Sequence, residues 1–102
     1  MQKNLINFKN IPWTAGKGVR YKVFQRETQQ IRLVEFSEGF IEEDWCSRGH
    51  AGYVIEGCCS INFNGNMVCY KEGDAFFISK EDRHKVIMNK GEKVLLILFE
   101  TI

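Results

Sequence analysis

Apolar and polar side chains alternate at a period of two in many short stretches of this chain, and glycine-containing turns interrupt the alternation at regular intervals. Alternation of this kind puts every second side chain on one face of an extended strand, so the pattern predicts half-buried β-strands, and no stretch sustains the 3.6-residue period of an amphipathic helix. The predicted strands cover residues 18–25, 30–36, 40–45, 51–56, 58–64, 67–71, 75–78, 84–89 and 93–100, with turns at Glu38-Gly39, Asn64-Gly65, Glu72-Gly73 and Lys90-Gly91. Asn64-Gly65 is the sharpest turn signal, because a two-residue type I′ hairpin needs positive φ at both central positions and these residues tolerate it. Residues 4–17, which hold the only proline, Pro12, beside Trp13, read as an arm laid across the outside. Short strands joined by connections of a few residues give an all-β fold, either a sandwich or a closed barrel, and periodicity does not choose between the two.

Composition narrows the picture. With 102 residues, 44% hydrophobic, 26% charged and one proline, the chain has the makeup of a single globular domain, 1–102, with a real core. A formal charge of +1 gives no field to draw it to a phosphate backbone or an anionic lipid surface, so neither nucleic acid nor membrane is an expected partner. The average conceals an asymmetry: residues 1–32 carry seven basic side chains and one acid, Glu27, whereas residues 33–44 carry five acids and no base. Two neighbouring surface strands of opposite sign that pair across their ladder account for this more simply than a polyanion site does. The few apolar residues before Lys9 fall short of a signal-peptide core, and the longest apolar run, six residues from Val94 to Phe99, is far below the ~20 that a membrane helix needs. The expectation is a cytoplasmic, soluble protein with its four cysteines, Cys46, Cys58, Cys59 and Cys69, reduced. Cys58 and Cys59 are adjacent and so are expected on opposite faces of one strand.

The segment Trp45-Cys46-Ser47-Arg48-Gly49-His50-Ala51-Gly52-Tyr53-Val54-Ile55-Glu56-Gly57, followed by Gly73-Asp74-Ala75-Phe76-Phe77-Ile78 and His84, resembles the two motifs of the cupin family. The resemblance covers roughly residues 30–100 and implies a double-stranded β-helix, or jelly-roll, barrel with a pocket inside. Gly73 and His84 have the family's spacing for the second motif. Aligning Gly57 on the family's glycine puts Asp44 and Cys46 where cupins carry two histidines, and His50 where they carry a glutamate; His84 alone keeps the family's own ligand type. The Pro-x-Gly turn is replaced by Ser79-Lys80-Glu81. Small cupins commonly pair, so the resemblance also implies a homodimer.

These replacements keep donor chemistry at all four positions. Asp44, Cys46, His50 and His84 together suit one divalent transition metal, Zn, Fe, Ni or Mn, better than Mg²⁺ or Ca²⁺. Strand alternation lets Asp44 and Cys46 point inward together. Without metal, the same residues form a polar cluster in an apolar barrel, able to exchange protons near neutral pH or to hold a ligand with no catalysis. Val86 and Met88 share the inward face of His84 by parity, and with Ile78 they are the expected pocket wall. Trp45 alternates out of that face, and Arg48 and Arg83 lie in loops near the presumed mouth. The reading at this stage is a small barrel binding a small molecule in its interior, at a divalent-metal site or as a metal-free binding or sensing module; the reaction, if any, does not follow from the fold.

Overall fold

One strand, β4 (His50–Phe63), organises the molecule. The computed structural model describes residues 3–102. Around β4 lie β1 (Thr14–Gly16), β2 (Val19–Arg26), β3 (Gln29–Ser37), β5 (Asn66–Lys71), β6 (Ala75–Ile78), β7 (Lys85–Ile87) and β8 (Lys93–Thr101). The first half of β4 runs antiparallel between β8 and β6, with Gly52 opposite both Leu98 and Phe76. Its second half runs between β5 and β7, with Ile61 opposite both Val68 and Val86. The remaining order, β1-β2-β3-β8-β4, extends the first sheet.

The sequence predicts two strands, 51–56 and 58–64, where the structure has one bent strand. The register slips between Val54 and Glu56, and Gly57 follows with φ of 79°. Buried positions are even-numbered up to Val54 and odd-numbered from Cys59 onward, as one extra residue at a bulge requires. At this corner a Cβ on Gly57 would stand 1.8 Å from the carbonyl oxygen of Lys93, so the residue must lack a side chain as well as accept positive φ. The hairpin at Asn64-Gly65 forms as the turn chemistry dictates, with φ of 52° and 99°.

Two other expectations change. Residues 40–45 do not form a strand; the segment is irregular and touches the sheet through one bridge, Ile41 to Ile87, with a second just after it from Cys46 to His84. The N-terminal stretch contains a short strand, β1, paired with β2. Trp13 sits against Arg20 at 4.2 Å and Lys22 at 4.9 Å, and Lys22 Nζ also donates to the carbonyl of Phe8. The charge asymmetry resolves in part as a cross-strand pair, Arg20 Nε to Glu35 at 2.9 Å.

The core comes from the inward positions of both halves: Val34, Val54, Val94 and Cys59 are wholly buried, with Leu96, Leu98, Ile61 and Ile78 beside them. Each such aliphatic side chain contributes about 1.5–3 kcal/mol through the apolar area it removes from water. The opposite face of the first sheet is also apolar. Phe77, Ala51, Phe99 and Ile31 lie in one cross-strand row, and Tyr53, Ile97 and Leu33 in the next; Phe77 is 85% exposed and Phe99 47%.

Gly57→Ala is expected to lower stability by about 2–4 kcal/mol, combining positive-φ strain with the clash at Lys93; urea unfolding followed by tryptophan fluorescence measures it, and Gly65→Ala, whose added Cβ meets nothing within 4 Å, provides the strain-only reference.

Candidate metal and ligand site

The inward face of the first sheet changes character along its length. On β8 the inward residues run Val94, Leu96, Leu98 and then Glu100; on β3 they run Val34, Arg32 and Gln30; on β4 they run Val54, Gly52 and His50. Apolar side chains fill one end, and polar ones meet at the other. Glu100, whose side chain is fully buried, accepts from Arg32 Nε and Nη2, each at 2.7 Å, and from Gln30 Nε2 at 2.6 Å. Gln30 in turn accepts from Gln25 at 2.8 Å. Burial pushes the Glu100 carboxyl up, but His50, Arg32 and Gln30 outweigh it and hold it well below the usual carboxylate range. The buried charge is therefore matched by donors, the condition under which burial of an ion is tolerated.

His50 joins this network through Nδ1, which meets the Glu100 carboxylate as an ion-pair contact off the line of a well-formed hydrogen bond. Facing a carboxylate, Nδ1 carries the proton, and the other ring nitrogen, Nε2, lies 3.5 Å from Cys46 Sγ. His84 is oriented in the same sense. Its Nδ1 is 3.0 Å from the carbonyl oxygen of Asp82, which only accepts, so the proton sits there too and Nε2 is left for the cluster. The two rings stand edge to face, 5.1 Å between centroids. A two-way backbone bridge between Cys46 and His84, 2.8 and 3.0 Å, fixes the cysteine beside the second histidine.

The ligating atoms of Cys46, His50 and His84 all lie within 4.8 Å of one another. Zn–S and Zn–N bonds of ordinary length at a tetrahedral angle give an S···N edge of about 3.5 Å, which is the Cys46–His50 separation here. Both imidazoles also have the outer partners that metal-bound histidines need, a carboxylate for one and a backbone carbonyl for the other. The donor set fits a soft-to-borderline divalent ion such as Zn²⁺.

Electrostatics favour charge separation in this cluster. Hydrogen bonds from His50 and then His84 draw the Cys46 thiol down to about 5 against the effect of burial. Burial pushes His50 down, but Cys46 and Glu100 hold it above its ordinary value; His84 is likewise raised, through Cys46 and the Asp82 carbonyl, against burial. Cys59, on the apolar side of β4, is pushed the other way by burial, up to about 12. The two cysteines illustrate how environment decides which thiol is reactive.

Asp44 does not join the cluster. It is exposed, because residues 40–45 are irregular and the i, i+2 rule that would have turned it inward with Cys46 does not hold there. Glu42 enters in its place. Its Oε1 accepts from the Val86 backbone N–H at 2.8 Å, and it borders the cavity beside Cys46, His50 and His84. Burial raises its carboxyl above the ordinary value. That cavity, about 230 Å³, is otherwise walled by apolar side chains including Phe36, Phe40, Phe76, Ile61 and Leu96. Gly52 makes room for it: a Cβ there would stand 2.4 Å from the Phe76 ring. Ile78 and Val86 line the cavity as expected from parity. Met88 does not: one step beyond the Ile87–Ser60 pair, it stands level with Cys59, where the core is already filled. Of the two arginines expected near the mouth, Arg48 is there, 3.9 Å from Glu100, whereas Arg83 lies over Trp45 at 5.2 Å. A larger hollow of about 710 Å³ lies at the strand ends by Phe77 and Phe99, with only His50 of the three donors on its border. Glu100, Arg32 and Gln30 were not singled out from the sequence, although continuing the parity of Leu96 and Leu98 by one step reaches Glu100.

No family model and no curated protein matches the sequence. Solved structures do match the fold. The polyketide cyclase RemF from Streptomyces resistomycificus superposes with a TM-score of 0.79 at 15% identity, over 99% of this chain and 80% of its own. An RmlC-like cupin from Shewanella frigidimarina gives 0.77 at 16%, over 98% and 91%, and a cupin-2 domain from Rhodospirillum rubrum gives 0.77 at 12%, over 95% and 73%. The chain has the cupin fold, a jelly-roll barrel. Among the described residues no helix is long and apolar enough to cross a membrane.

In metal-free protein, thiolate absorbance in the ultraviolet is expected to grow as pH rises through about 5, because a depressed thiol pKa leaves the anion as the form above that value. Cys46→Ser should abolish this transition; persistence of the transition in that variant would reassign it.

Proposed function

We propose that this protein binds one divalent transition metal, of the Zn²⁺ type, through Cys46, His50 and His84, and holds a small molecule in the barrel cavity against that centre. The observation that carries the reading is the convergence of three donor atoms within 4.8 Å, with both imidazoles already oriented by outer partners. Three protein ligands leave a fourth position for water or a ligand, the arrangement of a working centre rather than a closed structural one. A metal there supplies Lewis acidity. The chain's own residues then do the rest: Glu100 and the Asp82 carbonyl fix the histidine rings, Glu42 holds a carboxyl at the cavity edge, and Phe36, Phe40 and Phe76 exclude water from the interior. A metal-free binding module is the competing reading, favoured by the 3.5 Å Cys46–His50 contact, which by itself satisfies both groups as a thiolate–imidazolium pair.

Elemental analysis of tag-free protein, stripped and reloaded with Zn²⁺, Fe²⁺, Ni²⁺ or Mn²⁺, separates the two. About one metal per chain is expected, lost by tenfold or more in Cys46→Ser and His84→Ala and retained in Cys69→Ser, whose side chain is exposed and apart from the cluster. Equal metal content in all three variants removes the assignment.

We also propose that two copies pair through the apolar outer face of the first sheet. Phe77, Phe99, Tyr53 and Ile55 leave on the order of 400 Å² of apolar surface in water, taking about 200 Å² for a whole aromatic side chain; that is half of the ~800 Å² that each partner contributes to a stable interface. The row Phe77, Ala51, Phe99, Ile31 and Phe24 carries no charged side chain, so two copies can meet along it without burying a charge, and a chain charge of +1 sets no strong repulsion between them. Light scattering after gel filtration should report a dimer, and Phe77→Lys a monomer with unchanged metal content. A monomeric parent protein at tens of micromolar rejects this pairing.

A further inference from the structure

We propose that the molecule held at this centre is a small organic carboxylate with an apolar body, the body inside the barrel and the carboxylate at Arg48 and Lys80. The inference rests on the function proposed above and names its ligand class.

The cluster stands at the boundary of two compartments of opposite character. Inside is the apolar cavity of about 230 Å³, walled by aromatic and branched side chains. That is roughly eight water volumes, room for a body of about eight to twelve non-hydrogen atoms. Outside is a vestibule of about 640 Å³ that shares Arg32, Glu42, Cys46 and His50 with the cavity and adds Ser47, Arg48 and Lys80. Three cations thus surround an opening that holds one carboxylate, Glu42, and Glu42 is already engaged by the Val86 N–H. A ligand that touches the cluster has its inner end among phenylalanines and its outer end among cations.

The cations are not equivalent. Arg32 is committed: both of its bonds go to Glu100. Glu100 needs no more donors, since Arg32, Gln30 and His50 already surround it. Arg48 stands 3.9 Å from Glu100, beyond hydrogen-bond reach, with its side chain half exposed. Among the described residues no carboxylate pairs with Lys80. Arg83, the other arginine of the neighbouring loop, is occupied with Trp45. The vestibule therefore offers one planar guanidinium held only by a long ion pair to Glu100 and one ammonium that no carboxylate among the described residues pairs, beside a centre that already faces an apolar chamber. A carboxylate supplies acceptors to both and matches the guanidinium fork in two parallel bonds. A neutral isostere leaves the two cations solvated, and an amine is repelled.

The test uses zinc-loaded protein and three ligands of one shape, phenylacetate, phenylacetamide and phenethylamine, with acetate as the bodiless anion; binding is read by calorimetry and metal content is measured on the same samples. Phenylacetate is expected to bind at least tenfold tighter than the amide, amine and acetate, with an affinity that falls as salt is raised. The double variant Arg48→Gln/Lys80→Gln, exposed substitutions that leave the metal donors intact, should bind phenylacetate about tenfold more weakly and the amide unchanged. If metal loads fully and the amide binds as well as the acid, or the double variant binds phenylacetate as tightly as the parent, the carboxylate assignment is overturned while the metal centre stands. If acetate matches phenylacetate, the apolar body is overturned. If metal does not load at all, the proposed function falls first, on the elemental analysis alone, and this inference falls with it.

Discussion

Everything in this barrel depends on one strand serving two sheets. β4 pairs with β8 and β6 before Gly57 and with β5 and β7 after it, so the corner at Gly57 is where the two walls are joined covalently. The close approach of Gly57 to the Lys93 carbonyl sets the angle of that corner and the register of β8 against β4. That register in turn decides which β8 residues face inward. Had the strand continued straight, the extra residue that flips parity after Val54 would be absent, and Cys59 and Ile61 would be turned out to water.

The same register aligns a gradient of polarity along the barrel axis. Valines and leucines occupy the closed end, and Glu100, Arg32, Gln30 and His50 occupy the open one, each on the same strand face as the apolar residues below it. A buried carboxylate with donors on all sides is rigid, because moving any one partner exposes a charge in a poorly solvated place. Rigidity there is transmitted to the His50 ring and through it to Cys46. The site is thus oriented by residues that belong to the sheet, while its third member, His84, is held by a backbone carbonyl in a loop.

Much of this was readable in advance, for physical reasons that also mark where reading stops. Alternation locates β2, β3, β5, β6 and β8, because one face of each is more covered than the other, most fully in β8, where every second residue from Val94 to Glu100 is buried. The Asn64-Gly65 turn was legible from stereochemistry alone. Cys46, His50 and His84 were legible only through resemblance in spacing, since periodicity cannot say that residues 34 positions apart, such as His50 and His84, converge. Asp44 stands apart from the three converging donors and Glu42 stands beside them for one reason: residues 40–45 alternate in sequence but meet the sheet at one bridge, Ile41 to Ile87, so parity has no ladder to enforce it. Glu100 was passed over because a charged residue at the end of a strand ordinarily faces solvent, and only the position of β8 between two neighbours makes it buried.

That position of β8 has a consequence for how the chain is made. The strand lies between β3 and β4, pairing with the first along its whole length and with the second from Val94 to Phe99, yet it follows both of them in the chain. Before residues 93–101 emerge from the ribosome, β3 and the first half of β4 have unpaired backbone edges and no partner between them. The local hairpins, β2 with β3 and β4 with β5, need no part of β8, whereas the sheet that joins them does. Loss of those nine residues therefore removes the middle of a sheet, not its edge, and separates β1, β2 and β3 from the part of the sheet built on β4.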